Sequence, residues 1–243
     1  MILDAVQRIH NRYISADRDF AHRMRDLVGF TPAKLSLYKH AFLHRSSHNQ
    51  QNGYLYNNER LEYLGDALLS SIVAEYLYCK YPKGDEGFLT KMRSKVVKRK
   101  TLNSVAGKMQ LDIILQEYNP TYISKSMLGN AFEALVGAVY LERGYEGAKN
   151  FIIKRVLQEY VDMTELESRE DNFKSTLLEY CQKHGKKISF QTVSKYKHQK
   201  RDKFKMAVVI DGIEMATADA YNKKSAEQRA SRIALEGLHV AVT

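Results

Sequence analysis

The segment 57–69, NNERLEYLGDALL, restricts the possible folds of this chain more than any other stretch. Read as an α-helix at about 100° per residue, it brings its acidic side chains within roughly 60° of one another and its larger apolar side chains together on the opposite side. The acidic set is Glu59, Glu62 and Asp66, and the apolar set is Leu61, Leu64, Leu68 and Ile72. The pattern predicts a helix with a core face on one side and a carboxylate cluster on the other.

Clustered carboxylates repel one another and raise one another's pKa. A divalent cation such as Mg²⁺, or a set of basic partners, would neutralise them. An ordinary explanation stays open for the two glutamates, because acids in a first helical turn favour the helix dipole and Asn58 can cap the helix. Asp66 is less ordinary, since it follows Gly65 in mid-helix and neither residue type favours a helix. That placement indicates a role other than folding.

A second segment, 129–141, also combines apolar residues with acidic chemistry. It is apolar nearly all round apart from Asn130 and Glu133, which is typical of a buried helix. Because these two residues are three positions apart, they share one face of the helix. A buried carboxylate is unfavourable unless it is paired or binds a metal. Glu133 is therefore either satisfied by an arginine or a metal ligand.

Charge and composition limit the kinds of molecule that this protein is expected to bind. The chain has 243 residues, 44% of them hydrophobic, which is enough for one large domain or two unequal ones. Its net charge of +10 favours a polyanionic partner, and charge alone does not separate nucleic acid from an anionic membrane surface. The longest purely apolar run, 134–141, is far shorter than the roughly 20 residues that cross a membrane.

The cysteines and the N-terminal residues indicate the cellular compartment of the protein. Cys79 and Cys181 are about a hundred positions apart and form no metal-binding or disulfide pattern. The first residues include an early acid and no long apolar stretch, so no secretory signal is expected. These features predict a cytoplasmic protein.

The pattern changes after an acidic, weakly apolar segment. Residues 1–165 are expected to form a helical domain, 166–171 a linker, and 172–243 a second domain. In the second domain a helix over 173–184 precedes alternating segments at 188–193, 204–210 and 214–220, and a helix over 223–239 follows. The predicted order is αβββα. Lys223 and Lys224 open the last helix, where acids are more usual, and lysines there can grip phosphates.

The run 58–66, NERLEYLGD, closely resembles the signature motif of the ribonuclease III family. The segments 41–47, 86–93 and 129–141 are similar to further blocks of that family. The segment 172–243 resembles the double-stranded-RNA-binding domain. These resemblances imply an all-α endonuclease domain followed by a small α+β (αβββα) RNA-binding domain.

The resemblance also implies a function. The expected protein is a homodimeric endoribonuclease that hydrolyses double-stranded RNA, in the processing of ribosomal RNA precursors and other structured transcripts such as messenger RNA. Its products would carry 5′-phosphates and 3′ overhangs. Mg²⁺ is the expected cofactor, with Mn²⁺ as a substitute. No membrane is involved.

Site residues carry over position by position. The implied metal ligands are Glu62, Asp66, Asn130 and Glu133, with Asp66 and Glu133 as the catalytic pair. Glu59 and Glu86 are auxiliary, and Tyr63 stands at the dimer-contact position. One position departs from the family, which usually has Asp where this chain has Asn130. The alternative is a double-stranded-RNA-binding dimer whose nuclease domain is weakened or inactive.

The RNA contacts implied for the second domain lie in three regions. Ser175 and Glu179 on its first helix match positions that meet the minor groove. The segment 195–203 matches the loop between the first two strands and contributes Lys197, His198 and Lys200. Lys223 and Lys224 complete the set. Ala218 and Ala220 replace glycines usual before the lysine pair, and Leu178 stands where a polar residue is common.

Overall fold

The structure is a computed structural model that describes residues 2–44, 50–51, 54–55, 57–119, 124–168, 172–199 and 201–239. The chain divides into two compact units, Met1–Leu166 and Glu167–Thr243. No helix in these described ranges combines the length and apolar character needed to cross a membrane. Some predicted features lie outside the described residues, namely Arg45 to Ser47, the turn at Asn52–Gly53, and Lys200.

The first unit is mainly helical, as the sequence predicts. Its elements are α1 (Ile2–Tyr13), α2 (Arg18–Val28), α3 (Leu35–Ala41), β1 (Gln50–Gln51), β2 (Tyr54–Leu55), α4 (Glu59–Lys80), α5 (Glu86–Val96), α6 (Arg99–Lys108), α7 (Leu111–Tyr118) and α8 (Lys125–Asn150). A π-helical segment (Phe151–Leu157), α9 (Gln158–Tyr160) and α10 (Met163–Ser168) follow. The polar composition of residues 48–53 predicts a loop, but β1 lies within this run and pairs antiparallel with β2.

Helix boundaries in the middle of this unit follow the predicted signals. α4 ends at Lys80, immediately before the Tyr81–Pro82 pair. α5 begins after Asp85, whose side chain accepts a hydrogen bond of 2.7 Å from the backbone N–H of Phe88. That bond satisfies one of the free N–H groups of the first turn. Pro82 and Gly84 predict a break between two helices in this segment, and the structure has the break at residues 81–85.

The buried face of α4 differs from the predicted one. Its buried residues are Leu61, Gly65, Leu69, Ile72, Val73 and Leu77, whereas Leu64 and Leu68 are only half-buried. The predicted core face was right for Leu61 and Ile72, which are buried, and wrong in giving Leu64 and Leu68 the same burial. The core face is centred nearer Gly65 because α4 packs there against α8. The carboxylates therefore border the packed face and do not lie opposite it.

The acidic segment expected to be a linker is partly structured. Residues Met163–Ser168 form α10, and Met163 is buried in the core of the first unit. The Nζ of Lys95 donates a hydrogen bond of 2.8 Å to the carbonyl oxygen of Leu166. The buried side chain of Met163 and the hydrogen bond to Leu166 O thus hold the start of this segment to the first unit. The acidic composition of the segment did not predict these contacts.

The second unit has the predicted αβββα order. It consists of α11 (Phe173–Lys183), β3 (Ile188–His198), β4 (Arg201–Ile210), β5 (Ile213–Ala220) and α12 (Lys223–Gly237). The strands form an antiparallel sheet in the order β3-β4-β5. α11 and α12 pack together, and α12 covers β4 and β5. Their shared core is small and contains Leu177, Val208 and Leu235.

The first two strands of this sheet are longer than predicted. The segment 195–203, expected to be a loop, mostly continues the β3–β4 hairpin, with pairs such as Lys197 opposite Asp202. Lys195 Nζ lies 2.8 Å from Asp202 Oδ2 and stacks over the ring of Phe204. These cross-strand contacts stabilise an extended conformation, which the charged sequence of this segment does not predict.

Candidate active site

Backbone hydrogen bonds fix the start of α4, where the acidic cluster begins. The N–H of Asn58 donates to Leu43 O at 2.8 Å, and its side-chain Nδ2 donates to Ala41 O at 3.0 Å. His40 Nε2 lies 2.5 Å from Asn57 O. The N–H of Glu59 is taken by Asn57 Oδ1 at 3.0 Å, so Asn57 and not Asn58 uses its side chain as the local acceptor. Asn58 is the N-cap residue of α4, but its side chain makes no capping hydrogen bond to the helix.

Two glycines let α4 and α8 approach closely. A Cβ on Gly65 would lie 1.7 Å from the carbonyl oxygen of Glu133, and one on Gly137 would lie 2.5 Å from that of Leu61. Both distances are far below van der Waals contact, so any larger side chain would force the helices apart. Gly65, unfavourable for an isolated helix, is thus required by packing. The crossing also carries the acids of α4 to Glu133 of α8.

An open cavity of about 650 Å³ lies at this crossing. It contains all the predicted ligands, together with Glu59 and Tyr63. Its lining residues are His44, Asn58, Glu59, Glu62, Tyr63, Asp66, Val97, Arg99, Ser126, Asn130 and Glu133. Residues far apart in sequence are therefore brought to one place, as a chemical site requires.

The electrostatics of the cavity favour a cation. Burial, with the charges of Asp66 and Glu62, raises the pKa of Glu133 to about 7, although Arg99 opposes the rise. Glu133 is only 8% exposed. The pKa of Glu62 is also raised, first by burial and then by Glu59 and Asp66, while Arg99 and a hydrogen bond from Asn130 lower it. Within the described residues no arginine forms an ion pair with Glu133, so the cluster keeps an excess of negative charge.

Arg99 is a cavity residue that the sequence interpretation missed. It opens α6, and its Nη1 donates a short hydrogen bond to Asn130 Oδ1 and a longer one, 3.4 Å, to Ser126 O. A signal was present in the sequence. Lys98, Arg99 and Lys100 stand at the start of a helix, where the dipole disfavours cations.

Of the two remaining predicted residues of this unit, Glu86 lies away from the cavity and Tyr63 lies at it. Glu86 does not line this cavity; it accepts a hydrogen bond of 3.1 Å from Thr90 Oγ1 and borders a separate surface pocket with Tyr78 and Arg93. Its auxiliary role stays a prediction. Tyr63 lies at the cavity and is 82% exposed, an unusual exposure for a large aromatic residue.

The cavity residues suit a hard divalent ion in their chemistry. Mg²⁺ prefers carboxylate oxygens and water, and Glu62, Asp66 and Glu133 offer the former around one open space. Burial is the first cause of the raised pKa of Glu133, and the nearby charges of Asp66 and Glu62 add to it. As they stand, no three His, Cys, Asp or Glu side chains of the described ranges form a ready-made metal cage.

The predicted RNA contacts of the second unit are on its surface. Lys223 and Lys224 are exposed in the first turn of α12, where Asn222 Oδ1 accepts a hydrogen bond of 2.8 Å from Ser225 N. Glu179 is exposed on α11, and Ser175 Oγ accepts a hydrogen bond of 2.7 Å from Asn172 Nδ2. Lys197 and His198 are exposed at the end of β3. The structure presents these described positions to solvent, and their contacts with RNA stay predictions.

Comparisons with known proteins agree with both units. The family model described as "Ribonuclease-III-like" matches residues 34–160, and "Double-stranded RNA binding motif" matches residues 173–238. A protein named Ribonuclease 3 from Zunongwangia profunda is 42% identical over 97% of this chain and 98% of its own length. Another from Phocaeicola vulgatus is 40% identical over 90% of this chain and 72% of its own.

A solved structure is also similar. It is the nuclease domain of Ribonuclease III from Campylobacter jejuni, with 33% identity, 57% of this chain covered, 96% of that chain covered and a TM-score of 0.49. The matches of the two family models and of the full-length relatives account for most of the chain. The chain therefore belongs to the ribonuclease III family of double-stranded-RNA endoribonucleases.

Proposed function

We propose that this protein cuts double-stranded RNA at the cavity between α4 and α8, with Mg²⁺ held by Glu62, Asp66 and Glu133. The observation that carries the proposal is the convergence of these carboxylates, from two helices, on one open cavity. The raised pKa of Glu133 supports it, because such a cluster is unfavourable without a cation. Asn130 lies beside them as the fourth predicted ligand.

Each residue has a definite part in the reaction. A bound Mg²⁺ supplies an activated water and stabilises charge on the transferring phosphoryl group. Asp66 and Glu133 act as the principal ligands and hold that centre at the helix crossing. Glu62, in the first turn of α4, is the third ligand, and Glu59 in the same turn is auxiliary. The close approach at Gly65 keeps Glu133 in register with these acids.

The duplex would be cut on both strands by a homodimer. Tyr63, exposed at the rim of the cavity, is proposed to pack across the two-fold axis. Two cavities would then face one duplex, each cutting one strand and leaving 5′-phosphates and 3′ overhangs. The proposed substrates are ribosomal RNA precursors and other structured transcripts.

The second unit is proposed to hold the duplex. Exposed lysines at the start of α12 are suited to phosphates, and Ser175 and Glu179 on α11 to the minor groove, where 2′-hydroxyls distinguish RNA from DNA. The cytoplasm is the proposed compartment, and the free thiols of Cys79 and Cys181 are compatible with its reducing environment. The alternative of an inactive binding dimer has no support from the relatives, which are named as ribonucleases.

The test is cleavage of a long duplex RNA by the full chain. Cleavage should require Mg²⁺, stop with a chelator, resume with Mn²⁺, and yield 5′-phosphate ends. Glu133→Gln should remove it. Glu146→Gln, an exposed position beyond the kink of α8 at Gly144, is the control and should cleave normally. Equal cleavage by the native chain and Glu133→Gln would contradict the proposal.

A further inference from the structure

The cavity contains a positive group that the family motifs do not account for. Arg99 is exposed, and its guanidinium lies among the carboxylates that are proposed to bind Mg²⁺. Its charge lowers the pKa of both Glu62 and Glu133, so it is electrostatically part of the site. The surrounding acids do not explain its orientation, because its hydrogen bonds are made elsewhere.

The hydrogen-bond acceptors of Arg99 carry no charge. In the described part of the chain, Nη1 donates to Asn130 Oδ1 and to Ser126 O, and both acceptors are uncharged. A guanidinium has five N–H donors in a planar fork. Most of that fork is therefore available to an anion that enters the cavity, and a phosphate matches its geometry.

Asn130 is suited to hold Arg99 in this state. Its Oδ1 accepts a hydrogen bond from Arg99, and its side chain lowers the pKa of Glu62. An aspartate could accept from Arg99, but it would form an ion pair and cancel the charge. It would also lack an N–H for Glu62. The amide therefore links a cation to an acid without neutralising either.

The start of α6 adds to the positive potential at this point. Lys98, Arg99 and Lys100 follow one another where the helix has its own positive end, and the first turn has no acid. Such an arrangement is unfavourable for an isolated helix. A bound anion would remove the penalty.

We propose that Arg99 is a phosphate-binding residue of the cavity, held in place by Asn130, and that it contacts a backbone phosphate of the duplex next to the cleavage site. This proposal rests on the proposed function. Asn130 is then a positioning residue, and its oxygen is committed to Arg99 and not to the metal. The site would combine three carboxylates and one arginine, where the usual motif has four acids.

The test measures duplex binding by the full chain in a Glu133→Gln background with Mg²⁺, across a range of salt concentrations. Arg99→Gln should weaken binding roughly tenfold, as expected for one charge-assisted hydrogen-bond group. It should also reduce the log–log salt slope by about one, the contribution of one phosphate contact. Arg99→Lys should keep the slope, because it keeps the charge. Lys100→Gln removes the same charge one position along α6 and should have a clearly smaller effect.

The role of Asn130 is tested by a double-mutant cycle. Asn130→Leu should weaken binding, and adding it to Arg99→Gln should cause no further loss, because its effect acts through Arg99. An unchanged slope in Arg99→Gln, or equal losses in Arg99→Gln and Lys100→Gln, would overturn the proposal. Additive losses in the cycle would overturn the positioning role. Cleavage by the Glu133→Gln background itself would instead show failure of the proposed catalytic site, so the two failures are distinguishable.

Discussion

The two units use charge in opposite ways. In the first, acids from α4 and α8 are drawn together and Glu133 is nearly buried, so a few residues carry a large electrostatic penalty. In the second, Lys197, Lys223 and Lys224 are exposed on the surface. A metal centre requires fixed, partly desolvated ligands, whereas phosphate binding needs only accessible cations. Substitutions should accordingly have concentrated effects in the first unit and distributed effects in the second.

The largest effect is expected for the catalytic acids. Asp66→Asn or Glu133→Gln should lower the cleavage rate by about three orders of magnitude, because each removes a charged ligand of the proposed metal centre. Affinity for duplex RNA should change little. Single-turnover cleavage and equilibrium binding, measured on the same duplex, check both statements. Near-normal turnover by either variant would remove that residue from the mechanism.

A packing change should test how the acids are held together. Gly65→Ala places a methyl group against the Glu133 carbonyl and should destabilise the first unit by about 3 kcal/mol or more. Cleavage should fall as well, because the helices must separate. Denaturant unfolding gives the free energy.

Gly107→Ala is the matched control for that change. Gly107 is in α6, and a Cβ there would meet no atom within 4 Å. Helix propensity then predicts stabilisation of up to about 1 kcal/mol. Equal stability changes at the two glycines would show that the α4–α8 contact is looser than described.

The same contact shows what the sequence could and could not supply. Helical periodicity and the sequence motifs were enough to predict α4, α8 and the acidic residues of both helices that line the cavity. The close approach at Gly65 and Gly137 is a property of two helices together, so neither segment indicates it alone. The contact with α8 determines which face of α4 is buried. Periodicity alone does not include the partner helix, so it predicted too much burial for Leu64 and Leu68.

Other differences have a similar origin. Arg99 is brought to the cavity from a helix with no motif, and its basic neighbours were the available signal. The β3–β4 hairpin extends through a charged segment because cross-strand pairs stabilise it. In the second unit, the αβββα order was predictable because each element has its own periodicity. Contacts between distant segments are what the sequence alone leaves open.

A third prediction concerns the electrostatic penalty itself. The pKa of Glu133 in the folded protein, about 7, is above the ordinary value of a glutamate, 4.5. The folded state therefore binds this proton more tightly, and stability is lost as the pH rises from about 4.5 to 7. In a chelator at pH 8, Glu133→Gln should thus be more stable than the native chain, by on the order of 2 kcal/mol. Below pH 4.5 the difference should disappear. A constant difference at every pH would contradict a raised pKa of Glu133 in the folded protein.

The smallest effect is expected in the second unit. Lys223→Ala with Lys224→Ala should weaken binding about equally for unrelated duplexes, because phosphate contacts carry no base information. The log–log salt slope should fall by roughly 1 to 2 units. Glu179→Ala, the control on α11, should lower affinity without flattening the slope. An unaltered slope in the lysine variant would show that the start of α12 does not meet the backbone.

The separation of catalysis from binding is tested most directly by one paired measurement. The cleavage rate at saturating duplex RNA and the dissociation constant are determined at one salt concentration for the native chain, Glu133→Gln, and the Lys223→Ala, Lys224→Ala variant. We expect Glu133→Gln to lose the rate and keep the dissociation constant. We expect the lysine variant to keep the rate and lose affinity. Parallel loss of both quantities in either variant would contradict a division of labour between the two units.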